Sequence, residues 1–404
     1  MSGRPRRPGH VLAATVLAVM SAVSAWSLAG ATFDDPGAIV RVSPQRLSTG
    51  PMSAGGLPGP HPALGEAVCV DGSESAVLSA MADDPRLFVG ADYQRAFSLP
   101  DGRMLWLFQD AFVATPGGLD LLHHAGVLQS RNCLQRWVGD AHGVAVDPVF
   151  ADLTTPEQHW FWPLGGGLGR DGNLHVFFAE MVEHGDSYLT HVEPVATWLV
   201  AIDIETMAVV SRRLAPNPSG ELYGFSVAHD ESYSYLYAHC HRQFGWDVFP
   251  FSDPPVYVHD WDCAPRVTVG RVPAGRFDVA PDYWNGWTWV DDPGRAVAVI
   301  PTDDRIVNPT QVISDSGGFV AVTKVGDWWG DRIVVDVASA AQGPWRTAAS
   351  YLVGAPCSTC TTYFASVVPS HPNDDSLLIG LSTNTWQGYV PGRYQPIYFR
   401  IPRP

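Results

Sequence analysis

Charge is scarce in this chain, and positive charge is scarcer still. Asp, Glu, Lys and Arg make up 16% of 404 residues, with 25 basic side chains against 41 acidic ones and a formal net charge of −16. So acidic a chain repels polyphosphate backbones, which argues against nucleic acid as a partner. Helical patterning at a period of 3.6 is nearly absent, while 39 Gly and 34 Pro punctuate the sequence throughout, which points to an all-β protein. No low-complexity break divides the chain beyond its N-terminal region, so one large domain fits better than two. No heptad or basic arm marks an assembly, and a monomer is expected. Against this low charge stand 15 Trp, 13 Tyr and 17 Phe, a composition that favours a packed, aromatic-lined protein over disorder.

The N-terminus has its own grammar. Arg4, Arg6 and Arg7 precede an uncharged apolar run from Val11 to about Ala31 that ends in small residues, the order of a secretory signal, although the run is also long enough for an uncleaved anchor. Residues 32–62 are rich in Pro, Gly, Ser and Ala and read as a flexible spacer, leaving 63–404 as the folded domain. Loss of residues 1–31 takes the formal charge to −19, and predicts a secreted or envelope-associated protein with no membrane segment after cleavage. An even set of six cysteines suits export and disulfides. Nearness suggests Cys69 with Cys133, Cys240 with Cys263 and Cys357 with Cys360, without excluding other pairings. Cys357-Ser358-Thr359-Cys360 lacks a second CxxC, so a local loop staple fits better than half a zinc site or a redox pair.

A polar turn followed by a short apolar strand recurs along the chain. The copies are DGRMLWLF from Asp101, DGNLHVFF from Asp171, SYSYLYAH from Ser232, GGFVAVTK from Gly317 and DDSLLIGL from Asp374, spaced by about 60 to 85 residues. Repeats of that kind predict propeller blades, and five copies predict a five-bladed β-propeller, with a sandwich or jelly roll as the competing architecture. Aligned by repeat, Asp110, Glu180, His239, Lys324 and Asn384 occupy equivalent positions and would form a polar ring if the strand ends share one mouth.

The first repeat carries the chemistry. In GADYQRAFSLPDGRMLWLFQDAF, from Gly90 to Phe112, a loop with Gly102 left-handed pairs Leu99 with Arg103 and sets Asp92 opposite Asp110. Directly opposed β-carbons lie about 4.5–5.5 Å apart, so one of the two carboxylates should be pushed toward its protonated form. A split pair of carboxylates is what acid and base work on a glycosidic bond requires. Glu180 is a candidate third acid. His239 and His241 form an H-x-H, for which a polar-ring or core role is favoured over metal binding; no cofactor is expected, with a central structural ion left open.

In addition, HWFWPLGGGLGRDGNLHVFF from His159, YGFSVAHD from Tyr223, RVPAGRFDVAPDYWNGWTW from Arg271, GPW from Gly343 and SHP from Ser370 follow in order. Together with the first hairpin, over about residues 88–385, the chain resembles the five-bladed propeller glycoside hydrolases and hydrolase-like secreted proteins of actinobacteria, some of which are endo-D-arabinanases. The resemblance implies a furanoside-cleaving site in the central cavity, with Asp92 and Asp110 on the acidic positions and cell-envelope D-arabinan as the polysaccharide partner. It also has departures. Gln109-Asp110-Ala111 stands where the family usually has Gly-Asp-Thr, His124-Ala125-Gly126 where it has an Asn-Ser pair, and Asn308-Pro309-Thr310-Gln311 where a glutamate is common, so altered substrate choice or a non-catalytic glycan binder is the alternative. Trp160, Trp162 and Trp329, from dense aromatic clusters, are expected to stack on sugar faces, with His239, His371 and Asn384 completing the binding set.

Overall fold

The computed structural model describes residues 62–404 apart from 116–117, 142–143, 155–158, 184–191, 218, 220, 240–246, 250–255, 259–265, 301–309, 316, 327–329, 370–373 and 386–392. The signal and almost all of the spacer, the Cys240–Cys263 pairing, His241, Trp329 and His371 therefore lie outside the described residues.

The fold is nearly all-β and consists mainly of five antiparallel sheets laid down in chain order. Sheet I runs from Arg95–Ser98 through Met104–Phe108 and Ala125–Ser130 to Cys133–Ala141, with Pro62–Cys69 added at its outer edge. Sheet II holds His159–Leu168, Leu174–Glu183, Val192–Ile202 and Val209–Leu214. Sheet III holds Ser226–His229, Tyr233–His239, Val267–Pro273, Asp282–Trp284 and Trp289–Val290. Sheet IV holds Gln311–Asp315, Gly318–Val325, Arg332–Ala338 and Arg346–Leu352, and sheet V Cys360–Val368, Ser376–Thr385 and Ile397–Pro402. Every repeat copy found in the sequence falls on the second strand of one sheet, in order.

These second strands are mostly apolar on both faces because both faces are buried. In MLWLF, Leu105 and Leu107 enter a cluster with Phe161 and Phe178 of sheet II, while Trp106 and Phe108 enter another with Val368 and Leu378 of sheet V. Further clusters join II to III through Phe177 and Leu236, III to IV through Tyr237 and Val312, and IV to V through Val322 and Val367. Each large side chain removed from water contributes about 1.5–3 kcal/mol, so the sheet interfaces are where the fold draws its stability.

The leading strands neighbour one another in the same cyclic order, that of sheet V touching that of sheet I. Side chains stitch them together. Ser226 Oγ accepts from the Val312 N–H at 2.8 Å and donates to the Val312 carbonyl at 3.0 Å, replacing a pair of strand hydrogen bonds. Gln311 Oε1 accepts from the Val367 N–H at 2.6 Å, and Gln94 Nε2 donates to Ser366 Oγ at 3.0 Å. Between II and III the backbones meet directly: Gly165 N–H donates to the Gly224 carbonyl at 2.8 Å, and a Cβ at Gly165 would lie 2.8 Å from that oxygen, which explains a glycine there.

Sequence patterning missed one element, the helix Glu74–Asp83. Ser73 caps it, its Oγ accepting from the Ala76 N–H at 3.2 Å, and Val77 and Met81 pack on sheet I. Disulfides join Cys69 to Cys133, which ties the first strand to sheet I, and Cys357 to Cys360, both as expected. Among the described residues no helix is long and apolar enough to cross a membrane.

Candidate active site

The first hairpin forms in the expected register. Arg95 faces Leu107 and Ser98 faces Met104, and Gly102 takes φ +83° in the loop. Beyond the strand the pairing carries on to the two acids: Asp92 N–H donates to the Asp110 carbonyl at 3.1 Å, and Gln109 N–H donates to the Asp92 carbonyl at 3.1 Å. The ladder is irregular there without an inserted residue, since Ala91 still faces Ala111 and Arg95 still faces Leu107, and Tyr93 adopts φ +46°. The distortion turns the carboxylates differently. Asp110 N–H donates back to Asp92 Oδ1 at 3.2 Å, which locks the buried acid to the backbone of its partner.

Asp92 is 6% exposed. Tyr363 Oη donates to its Oδ2 at 2.6 Å, and Tyr394 also hydrogen-bonds it. Burial, and then the charge of Asp110, raise its pKa to about 7 against the opposing pull of those hydrogen bonds. Asp110 is the more open member, with 16% of its side chain exposed. Its Oδ1 meets His123 Nδ1 at 2.9 Å and accepts from Trp162 Nε1 at 3.1 Å. Burial pulls the His123 imidazole down, but the hydrogen bond and charge of Asp110, with a further contribution from Asp147, prevail and raise its pKa. His123 is held from two other sides: its ring stacks on Trp160 at 5.0 Å, and its N–H donates to Asp147 Oδ1 at 2.9 Å. The result is a buried carboxyl poised to keep its proton near neutrality beside a more open one that His123 and Trp162 hold by hydrogen bonds.

The structure brings Asp92, Asp110 and Trp162 together but separates other members of the expected set. Glu180 lies directly opposite Phe161 in sheet II, on the other face of the sheet from Trp160 and Trp162. There it accepts from Trp198 Nε1 at 2.5 Å and meets His159 Nε2 at 3.3 Å, so it faces the interface with sheet I rather than Asp110. Trp160 is fully buried and backs His123, a correction to its expected role as a sugar platform. His239 is likewise 6% exposed, and its Nε2 accepts from the Thr310 N–H at 2.8 Å, which makes it a strand-end tether. Lys324 is fully buried, and Asn384 uses its side-chain oxygen on the Thr385 N–H at 2.7 Å. The polar positions at the second-strand ends are therefore largely occupied by internal contacts.

His123, Asp147, Tyr363 and Tyr394 escaped the sequence reading. A signal existed for the first: Phe108 faces Ala125 and Leu107 faces Gly126, and the same register continued by two residues sets His123 opposite Asp110. The tyrosines arrive from a strand of sheet V and from the connection between its last two strands, hundreds of residues away, with no local mark. Among the described residues no group of three or more His, Cys, Asp or Glu is placed to hold a metal ion.

Five mutually packed antiparallel sheets with a split aspartate pair at one end define an all-β protein of the kind that positions chemistry at strand ends. The chain belongs to the family described as Domain of unknown function (DUF5005), whose model matches residues 84–402. No curated protein matches it. Among solved structures, it is similar in fold to a candidate hydrolase from Bacteroides ovatus, at 14% identity and a TM-score of 0.59 over 81% of this chain and 88% of that one. Weaker likenesses are to a GH43_1 enzyme from Xanthomonas citri, at 12% identity and a TM-score of 0.44 over 81% and 92%, and to the GH93 alpha-L-arabinofuranosidase of Fusarium graminearum, at 12% identity and 0.37 over 84% and 87%.

Proposed function

We propose that the protein is a secreted five-bladed β-propeller that hydrolyses a furanoside polysaccharide, acting within chains of cell-envelope D-arabinan, with Asp92 and Asp110 as the catalytic pair. The observation that carries this reading is the division of labour between the two acids. Asp92 is buried and holds its proton near neutrality, as a general acid must, whereas Asp110 is partly exposed and hydrogen-bonded to His123 and Trp162, the placement of a base or nucleophile. The five sheets, their cyclic order of contact and the five clusters between them support the blade assignment. Disulfides at Cys69–Cys133 and Cys357–Cys360 agree with export.

The mechanism follows from these positions. The acid protonates the leaving glycosidic oxygen as the bond breaks, and the second carboxylate either attacks the anomeric carbon or activates a water that does so. Carboxyl separations of about 5–5.5 Å go with retention and about 6.5–9.5 Å with inversion. Trp162 orients Asp110 through its indole N–H. Glu180, turned toward Trp198, has the weaker claim to a role in the chemistry.

A second reading is favoured by the changed motif neighbours around Asp110: a non-catalytic propeller that binds glycan. Oligosaccharide release from arabinan, arabinogalactan, xylan and levan, run beside Asp110→Asn, separates the two. Release from one polymer by the wild type alone establishes a hydrolase and its substrate class; binding without release from any polymer establishes the glycan binder.

A further inference from the structure

One aromatic side chain stands apart from the packing of the fold. Trp287 is 91% exposed, whereas Trp106, Trp137 and Trp160 are buried to 1% or less. It sits at the tip of the hairpin formed by Asp282–Trp284 and Trp289–Val290 in sheet III, and that tip is held stiffly. Asn285 Oδ1 accepts from the Trp287 N–H at 3.0 Å and from the Thr288 N–H at 2.9 Å, the Asn285 N–H donates to the Thr288 carbonyl at 3.1 Å, and Gly286 supplies the left-handed residue of the turn at φ +96°. Behind the tip, Trp284 and Trp289 pair across the two strands with ring centres 5.5 Å apart, and the Arg271 guanidinium lies 4.5 Å from the Trp289 ring centre. A freely accessible indole is thus carried on a pre-ordered mount, so little further ordering opposes its use in binding.

The strand register places this tip. Arg95 Nη1 donates to the Phe225 carbonyl at 2.9 Å, so the leading strands of sheets I and III start level with one another, at the end of the fold that holds Asp92 and Asp110. In sheet III the second strand finishes at that same end, with Tyr237 opposite Ser226 and His239 opposite Val267. Asp282 then pairs with Arg271 and Tyr283 with Gly270, so the fourth strand runs back toward Val267 and its turn emerges at the aspartate end. Trp287 therefore stands on the rim of that end, three strands out from the leading strand, which at ~4.8 Å per strand is about 15 Å. Its surroundings narrow the ligand. Thr288, Asp291 and Asp292 nearby in the chain are exposed, and from Gly275 to Val297 the large apolar side chains left exposed are Trp287 and Val297. That is too little apolar area for a stable protein interface of about 800 Å² per partner, and the carboxylates repel anionic surfaces. A sugar fits both features, stacking a C–H face on the indole while its hydroxyls donate to the carboxylates.

We propose that Trp287 is a rim platform for polysaccharide, stacking on a neutral sugar unit of a chain whose central units lie at Asp92 and Asp110. The platform presupposes the carbohydrate reading above and extends it: a contact several sugar units away from the aspartates favours long chains over short ones, which suits binding within a polymer rather than at its tip.

The test is affinity electrophoresis of the full chain through gels of arabinan, arabinogalactan, xylan and levan, with Asp110→Asn as the parent so that no polymer is cut. Adding Trp287→Ala should weaken binding to the retarding polymer by about 3- to 10-fold, the weight of one aromatic stack, and Trp287→Phe, which keeps a flat ring, should lose less. Leu352→Ala removes another exposed apolar side chain, 69% exposed on sheet IV, and should leave retardation unchanged. Equal retardation of Trp287→Ala and its parent overturns the platform and leaves the carbohydrate reading standing, and equal losses in Trp287→Ala and Leu352→Ala overturn it as well. A parent that no polymer retards overturns both. Oligosaccharides of rising length from the retarding polymer, titrated by calorimetry, should go on gaining affinity in the parent after they have stopped gaining in Trp287→Ala; the same plateau in both proteins places Trp287 outside the bound chain and refutes the proposal.

Discussion

Tyr363→Phe offers the sharpest test of how the site sets its proton. Tyr363 Oη donates to Asp92 Oδ2 at 2.6 Å and thereby favours the ionised form of that carboxyl, in opposition to burial and to the charge of Asp110. Removing the hydroxyl leaves the ring, which is 1% exposed, in its packing place. A hydrogen bond to a charged group is worth about 1.5–3 kcal/mol, and a pKa unit corresponds to about 1.4 kcal/mol, so the loss alone would raise the Asp92 pKa by about one to two units. Tyr394 and the Asp110 N–H remain to compensate, which favours the lower figure. If Asp92 is the general acid, the alkaline limb of kcat/KM, expected near pH 7 in the wild type, moves up by about one unit in the variant. Stability follows with a definite sign. Because the folded pKa lies above the ordinary 3.8, stability is fullest below that value and declines as pH rises from there through about 7; the decline extends further in Tyr363→Phe. Initial rates of reducing-end release across this range, with thermal midpoints at the same pH values, measure both. A limb that stays in place or moves to lower pH would refute the assignment of Asp92 as the acid controlled by Tyr363.

Asp110→Asn should lower turnover by about 10²–10⁴-fold with polymer affinity largely kept, measured by product release beside affinity electrophoresis. Trp162→Phe removes the indole N–H that Asp110 accepts together with part of the ring, and should lower kcat more than it changes KM, at some cost in folding midpoint from lost packing. His123→Phe keeps a ring over Trp160 but removes the hydrogen-bond partner of Asp110; kcat should fall more than KM changes, and an unmoved kcat would assign His123 to packing alone. Replacing Cys69 and Cys133 together by Ser should cost about 2–5 kcal/mol in denaturant unfolding, since the bond ties the outermost strand of sheet I to its neighbour across 64 residues.

Much of this architecture was legible because it is local. The hairpin register follows from a short turn with Gly102, and that register alone sets Asp92 against Asp110. The five repeat copies were legible for a related reason: a strand buried on both faces is mostly apolar on both, so each second strand stands out from its polar turn. What stayed hidden is non-local. Tyr363 and Phe364 reach the first hairpin only because the last sheet packs beside the first, and nothing in their neighbourhood advertises that contact. Trp160 and Trp162 sit two residues apart on one face, yet one is fully buried behind His123 and the other is partly open at Asp110; alternation gives the face and not the depth. The helix Glu74–Asp83 has its contact with sheet I through only Val77, Met81 and a few partly buried neighbours, too weak an apolar stripe to be read as helical.

The left-handed backbone at Tyr93 explains how one hairpin can give two chemically different aspartates. A regular ladder would present both carboxylates at the same depth on the same face, where equal exposure would let them share a proton without assigning it. Here Tyr93, next to Asp92, leaves the extended conformation at φ +46° with its ring stacked on Phe364 at 4.6 Å. Phe364 is itself left-handed at φ +41°, so the two unusual backbones brace each other through their side chains. That brace holds Asp92 inward beneath Tyr363 and Tyr394 and leaves Asp110 outward toward His123 and Trp162. Relaxing it, as Phe364→Ala would do, should bring the two acids into more similar surroundings. The pKa of Asp92 should then fall toward the ordinary carboxylate range while the pair remains in place, and the alkaline limb of the rate profile should fall with it.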